Sequence, residues 1–172
     1  MVEALHLRRS PLAGLGFGVD GPRLRMAEEP FRSLVEVRSV ARPATAAVVA
    51  PHVWQLGATW WLVDGPPPTE PCLEVPLAGL VRASGGGGSH VADVSAQRTT
   101  VVVAGENALR VLAHGCPLDL SRLPVGGCVQ GLLVGAQVAI GRTGDDELRV
   151  YVRSAFARHL ATWLMDAAIE DL

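Results

Sequence analysis

No charged residue occurs from Pro43 to Val63 or from Leu123 to Gly141. Each stretch is long enough to cross a bilayer, so the first question is whether they belong in lipid or in a protein core. A membrane helix must be continuous and apolar, because lipid offers its backbone no hydrogen-bond partner. The first stretch holds Pro51, His52, Gln55 and Gly57, and the second holds Pro124, Gln130, Gln137 and five glycines. Both read as strand-bearing core segments of a chain that does not enter a membrane.

The rest of the composition fits a packed domain. Of 172 residues, 49% are hydrophobic and 19% charged, which excludes disorder. A chain of this size buries roughly 70% of the surface its unfolded form exposes, so it needs neither disulfide nor metal to be stable. All fifteen basic residues are arginine, and they are spread without a basic stripe. With an isoelectric point near 6.2, that argues against a nucleic-acid partner, whose affinity comes from clustered cations on phosphates. Cys72, Cys116 and Cys128 are separated by 43 and 11 intervening residues, matching neither a redox pair nor a zinc site, and are expected as buried free thiols. Met1-Val2-Glu3-Ala4-Leu5 lacks the apolar core of a secretion signal, so a reducing, cytoplasmic setting is expected.

Residues 1–42 carry Gly14, Gly16, Gly18 and Gly21 with Pro11, Pro22 and Pro30, which break any helical period. They read as an extended arm, with a short strand at Leu34–Val37. Leu12, Leu15, Phe17, Leu24 and Phe31 are too many apolar residues for a solvated tail, so the arm should lie against its own domain or a neighbour. A single domain is expected over 43–172. Trp60–Val63 reads as a strand stopped by Asp64-Gly65-Pro66-Pro67-Pro68, with the two tryptophans on opposite faces. Leu73, Leu77, Leu80 and Val81 suggest a helix ahead of the flexible run Gly85–Gly88.

Val91–Ser95 and Thr99–Val103, joined by three residues, have the spacing of a hairpin. Asn107 is placed to cap a helix over 107–114, with Gly115 as its left-handed stop. Leu132–Ile140 alternates like one long strand, and Gly144-Asp145-Asp146 turns it back into Glu147–Val152. Ser154 is expected to cap a final helix with the stripe Phe156, Leu160, Trp163, Leu164 and Ala167. The order β, α, β, β, α, β, β, α predicts an α+β fold. It has the form of a ferredoxin-like split βαβ layer extended by a C-terminal hairpin strand and helix. Helices would cover one face of an antiparallel sheet and leave the other as an interaction surface.

Chemistry is hard to find. The glycine run lacks the Lys-Ser/Thr ending of a phosphate loop and precedes a strand instead of a helix. His52, His90, His114 and His159 have no carboxylate or cysteine at a telling interval, and His159 reads as a surface or boundary residue. Asp93 with Ser95, and Asp119, read as turn-stabilising hydrogen-bond acceptors and donors.

The string VADVSAQRTTVVVAGENALRVLAHGCPLDL over residues 91–120 resembles the gamma subunit of heterotetrameric sarcosine oxidases. In that family a valine-rich D-x-S strand leads to a short helix and a G-C-P-x-D-L turn. The matching residues here are Asp93, Ser95, Gly105, Leu112, Gly115, Cys116, Pro117, Asp119 and Leu120. Leu56–Leu62 is similar to the family's L-G-P-x-E-W-L entry, with Ala58 and Trp60 in place of its proline and acid, and Phe156–Ala168 resembles its closing helix. The resemblance covers about residues 53–172 and implies a fold related to one half of the glycine-cleavage T-protein. It also implies a non-catalytic subunit beside larger alpha and beta subunits and a second small subunit. That complex would oxidise the N-methyl group of sarcosine, yield glycine and hydrogen peroxide, and pass the one-carbon unit to tetrahydrofolate. FAD, FMN, NAD, zinc and tetrahydrofolate are implied on those partners. No catalytic, cofactor-binding or metal-ligating residue carries over to this chain. Two alternatives stay open: a stand-alone T-protein-like folate-binding or methyltransfer domain, and the same subunit in a complex acting on another N-methyl amine.

Overall fold

A computed structural model describes residues 8–43, 50–67 and 90–171. In chain order these form β1 (Val19–Asp20), β2 (Arg25–Glu29), β3 (Ser33–Arg38), β4 (His52–Gly57), β5 (Trp60–Gly65), β6 (His90–Asp93) and β7 (Arg98–Ala104). Helix α1 (Ala108–Ala113), β8 (Cys128–Leu133), β9 (Ala136–Gly144), β10 (Glu147–Arg153) and helix α2 (Ser154–Ala167) follow, with 3₁₀ turns at Leu120–Arg122 and Ala168–Asp171. The class is α+β with antiparallel pairing, as expected. The single split βαβ layer is not what forms: the strands make two sheets, ordered β1-β2-β7-β10-β9-β8 and β4-β5-β3-β6. The helix expected at 73–81, the run Gly85–Gly88 and Cys72 lie outside the described residues.

The expected hairpin at 91–103 is where the single-layer reading fails. β6 pairs with β3, while β7 runs between β2 and β10. The four residues from Val94 to Gln97 carry the chain from one sheet to the other. Ser95 decides this, because its Oγ accepts from the Leu34 amide (2.9 Å) and donates to the Leu34 carbonyl (3.3 Å), extending β6 along β3. β7 is buried from Thr99 to Val103, so it takes a central place that a two-stranded hairpin cannot supply.

The compact units do not divide at residue 42. One includes Pro30–Gln97, and the other Pro11–Glu29 with Arg98–Leu172. The segment read as an arm thus supplies strands to both sheets.

In the second unit, β2 pairs with β7 from Arg25↔Ala104 to Glu29↔Thr100. Arg149 grips Glu29 with both terminal nitrogens, and Thr99 Oγ1 donates to Glu28 Oε1 at 2.6 Å. Leu12, Leu24 and Met26 enter the core with Val101, Val103, Leu112, Ile140, Val150, Leu160 and Leu164. The alternate residues Thr100, Val102 and Tyr151 are buried as well, so these central strands do not present the open apolar face expected of them. Leu132–Ile140 is two strands, not one. Val134 (φ 52°) and Gly135 (φ 78°) form the two-residue, left-handed turn that suits a hairpin, although a β-branched residue seldom takes such a φ. The expected turn at Asp145-Asp146 does join β9 to β10.

Both helices lie where the periodicity placed them, with different ends. Asn107 precedes α1 without a side-chain cap, and its amide donates instead to the Arg23 carbonyl (3.1 Å). Arg153, not Ser154, stands at the N-cap of α2. The buried stripe of α2 is Ala157, Leu160, Ala161 and Leu164, which leaves Phe156 exposed.

In the first unit, β4 and β5 form a hairpin with an irregularity between Gln55 and Gly57. Trp61 joins the core with Val35, Val37, Ala50, Val53 and Val63, and its indole N–H donates to the Ser39 carbonyl (2.9 Å). Trp60 takes the other face, with the Arg38 guanidinium 4.2 Å from its ring centroid. Asp64, expected as part of a stop, is the buried penultimate residue of β5 and forms an ion pair with Arg32.

Candidate interaction surface

The residues with possible chemistry are scattered and structural. Asp93 Oδ1 accepts from the Ser95 amide (2.8 Å), as the turn reading expected. Asp119 Oδ1 accepts from the Ser121 amide (3.1 Å) and hydroxyl (2.5 Å), which holds its carboxyl below the usual aspartate range. His52 stacks on Trp54 with ring centroids 5.1 Å apart, and His90 is exposed on β6. His159 is exposed and lies 3.0 Å from the Val134 carbonyl through Nε2. Cys116 is buried and free. Cys128 is free and half-buried, and burial pushes its thiol up to about 12. Among the described residues there is no group of three His, Cys, Asp or Glu side chains placed to hold a metal ion. Nor is any helix there long and apolar enough to cross a membrane.

What the sequence motif does build is a packed corner. After α1, the amides of Gly115 and Cys116 both donate to the Leu112 carbonyl (3.2 and 2.9 Å), and the Gly115 carbonyl accepts from Val134 (3.0 Å). Gly115 is not in the left-handed region expected of a helix stop. It must be glycine because a Cβ would stand 2.7 Å from both Trp163 Cη2 and Val134 Cγ2. Cys116 and Leu120 turn inward to the core, while Asp119 caps the 3₁₀ turn.

Arg142 fastens the neighbouring loop. Its guanidinium donates to the carbonyls of Leu123 (2.9 Å), Ser121 (3.3 Å), Gly144 (3.2 Å) and Asp145 (2.5 Å). Sequence reasoning missed this residue, since an arginine that serves four carbonyls has no spacing signature.

Beside this corner, Trp163 forms part of an open groove of about 460 Å³ with His114, Asp166, Ala167, Ile169 and Glu170. Ile169 is 68% exposed, far beyond what a large aliphatic side chain needs to be in a finished core. Phe156 on α2 and Leu132 on the edge strand β8 are also exposed. The groove offers an aromatic wall, aliphatic contact, an imidazole and two carboxylates, a mixture that suits binding a partly apolar group.

Comparison with known proteins identifies the family. A family model described as "Sarcosine oxidase, gamma subunit family" matches residues 39–170. The sarcosine oxidase subunit gamma of an Arthrobacter species is 31% identical over 99% of this chain and 94% of its own length. That of Corynebacterium sp. strain P-1 is 29% identical over the same shares. Among solved structures, a chain of the heterotetrameric sarcosine oxidase from Corynebacterium sp. U-96, in complex with pyrrole 2-carboxylate, superposes with a TM-score of 0.79. It is 26% identical, over 95% of this chain and 96% of that one.

Proposed function

This chain belongs to the sarcosine oxidase gamma subunit family, and from that premise we propose that it is the non-catalytic gamma subunit of a heterotetrameric sarcosine oxidase. The observation that carries the reading is the full-length likeness to one chain of such an oxidase, with 95% and 96% of the two chains covered. A match of that extent concerns the whole subunit and not a shared domain. The partners are the larger alpha and beta flavoprotein subunits and a second small subunit. FAD, FMN, NAD, zinc and tetrahydrofolate belong to them, and the assembly is cytoplasmic. It oxidises the N-methyl group of sarcosine to give glycine and hydrogen peroxide and transfers the one-carbon unit to tetrahydrofolate.

In this reading the chain contributes surface, not chemistry. The exposed Phe156, Leu132 and Ile169 are the kind of apolar area that a permanent interface removes from water. Co-expression with the other three subunits tests the proposal. The chain is expected to copurify with the flavin-bearing subunits in a complex that consumes sarcosine, and to self-associate and show no activity alone. A monodisperse lone chain that binds tetrahydrofolate in calorimetry and ignores the other subunits would overturn the proposal in favour of a stand-alone folate-binding domain.

A further inference from the structure

We propose that the groove at the end of α2 receives an arginine-bearing segment of another subunit, with the arginine between the face of Trp163 and the carboxylates of Asp166 and Glu170 and a neighbouring aliphatic residue against Ile169. The inference rests on the reading of this chain as a gamma subunit and adds the chemistry of one docking site.

Three observations converge on a cation. A helix ends in a partial negative charge, which basic side chains normally answer. Here the last turn of α2 and the 3₁₀ turn after it hold no basic residue, and Asp166 and Glu170 are added to the same end. Neither carboxylate has an ion-pair partner among the described residues, although the His114 imidazole lines the same groove, so no described arginine answers that charge.

The groove also has the shape and lining for more than a free ion. Trp163 forms one wall, and Ala167 and Ile169 make the lining partly aliphatic. Trp163 is held there by the absence of a side chain at Gly115, where a Cβ would come within 2.7 Å of Cη2. The residue at the centre of the family-like turn therefore sets the position of the groove wall. An arginine suits this combination because its planar guanidinium stacks on an indole while its N–H groups reach carboxylates. The same stacking occurs within the chain, where Arg38 lies 4.2 Å from the Trp60 centroid.

The test uses the co-expressed complex. A photoreactive benzoylphenylalanine placed at Ile169 is expected to crosslink on irradiation to a peptide of another subunit that contains arginine. A crosslink to a second copy of this chain, or to a peptide without arginine, overturns the assignment. Independently, the double reversal Asp166→Arg with Glu170→Arg is expected to weaken association by about tenfold or more, because like charges then face each other. The neutral pair Asp166→Asn with Glu170→Gln should weaken it less and flatten its dependence on salt. Both side chains are at the surface, and unchanged melting of the variants separates lost docking from lost folding. If the unaltered chain assembles and both pairs of variants assemble with equal affinity, the groove assignment fails while the gamma-subunit reading stands. If the unaltered chain does not assemble, that reading fails and takes this inference with it.

Discussion

In the unit built on the six-stranded sheet, Leu160 and Leu164 of α2 pack with Val101, Val103, Ile140 and Val150 into one large apolar cluster. In the unit built on the four-stranded sheet, the described core cluster is Val35, Val37, Ala50, Val53, Trp61 and Val63, and strand β5 of that sheet carries a fully buried aspartate. Around the small cluster, side-chain polar bonds fix the register: Arg32 to Asp64, Ser95 to the backbone of Leu34, and Trp61 to the carbonyl of Ser39. The contrast teaches that one chain uses two sources of order. Apolar burial tolerates a trimmed side chain in proportion to the volume lost, whereas a buried ion pair fails abruptly when one member is removed.

The comparison breaks most easily at Asp64. Asp64→Asn takes away the carboxylate that Arg32 pairs with inside the fold, and a loss of about 3–5 kcal/mol in urea unfolding is expected. In the other unit Leu160→Ala should cost somewhat less, about 3 kcal/mol, because the surrounding side chains relax into part of the cavity. If Leu160→Ala proves the more damaging of the two, the assignment of polar specification to the smaller core is wrong. Ser95→Ala removes the acceptor of the Leu34 amide and should cost about 1–2 kcal/mol, read from the same unfolding curves.

The smallest effect is a slope with pH. Burial raises the folded thiol of Cys128 to about 12, so the unfolded chain loses this proton first as pH rises. The stability tied to the neutral thiol is complete below the unfolded value, about 8.5, and is lost progressively between there and the folded value. Unfolding followed from pH 8 to pH 10 should show this decline in the parent and a shallower one in Cys128→Ala. Parallel profiles would mean that the edge strand β8 leaves its thiol in water.

Much of the architecture could be read in advance, and the reasons are local. α2 was legible from its 3.6-residue period, the β9–β10 hairpin from Asp145-Asp146, and the turn roles of Asp93 and Asp119 from their short reach to nearby amides. The groove was not. Trp163 was read as part of the core stripe, and the role of Gly115 depends on Val134 and Trp163, which are distant in sequence. The hairpin at Val134-Gly135 was hidden because a valine occupies a position that ordinarily signals itself through asparagine, aspartate or glycine.

Composition, periodicity and turn chemistry thus determined the class of fold and the strand-bearing character of the two uncharged stretches, and the resemblance over residues 91–120 pointed to the family. Those properties depend on which residues follow one another. Only the tertiary structure decided that β6 and β7 part company, that Asp64 goes inside with Arg32, and that Asp166 and Glu170 line one groove with Trp163. Each of these is a choice among partners far apart in the chain. Long-range pairing is settled by which arrangement buries apolar surface while satisfying every polar group, and no local pattern encodes that sum.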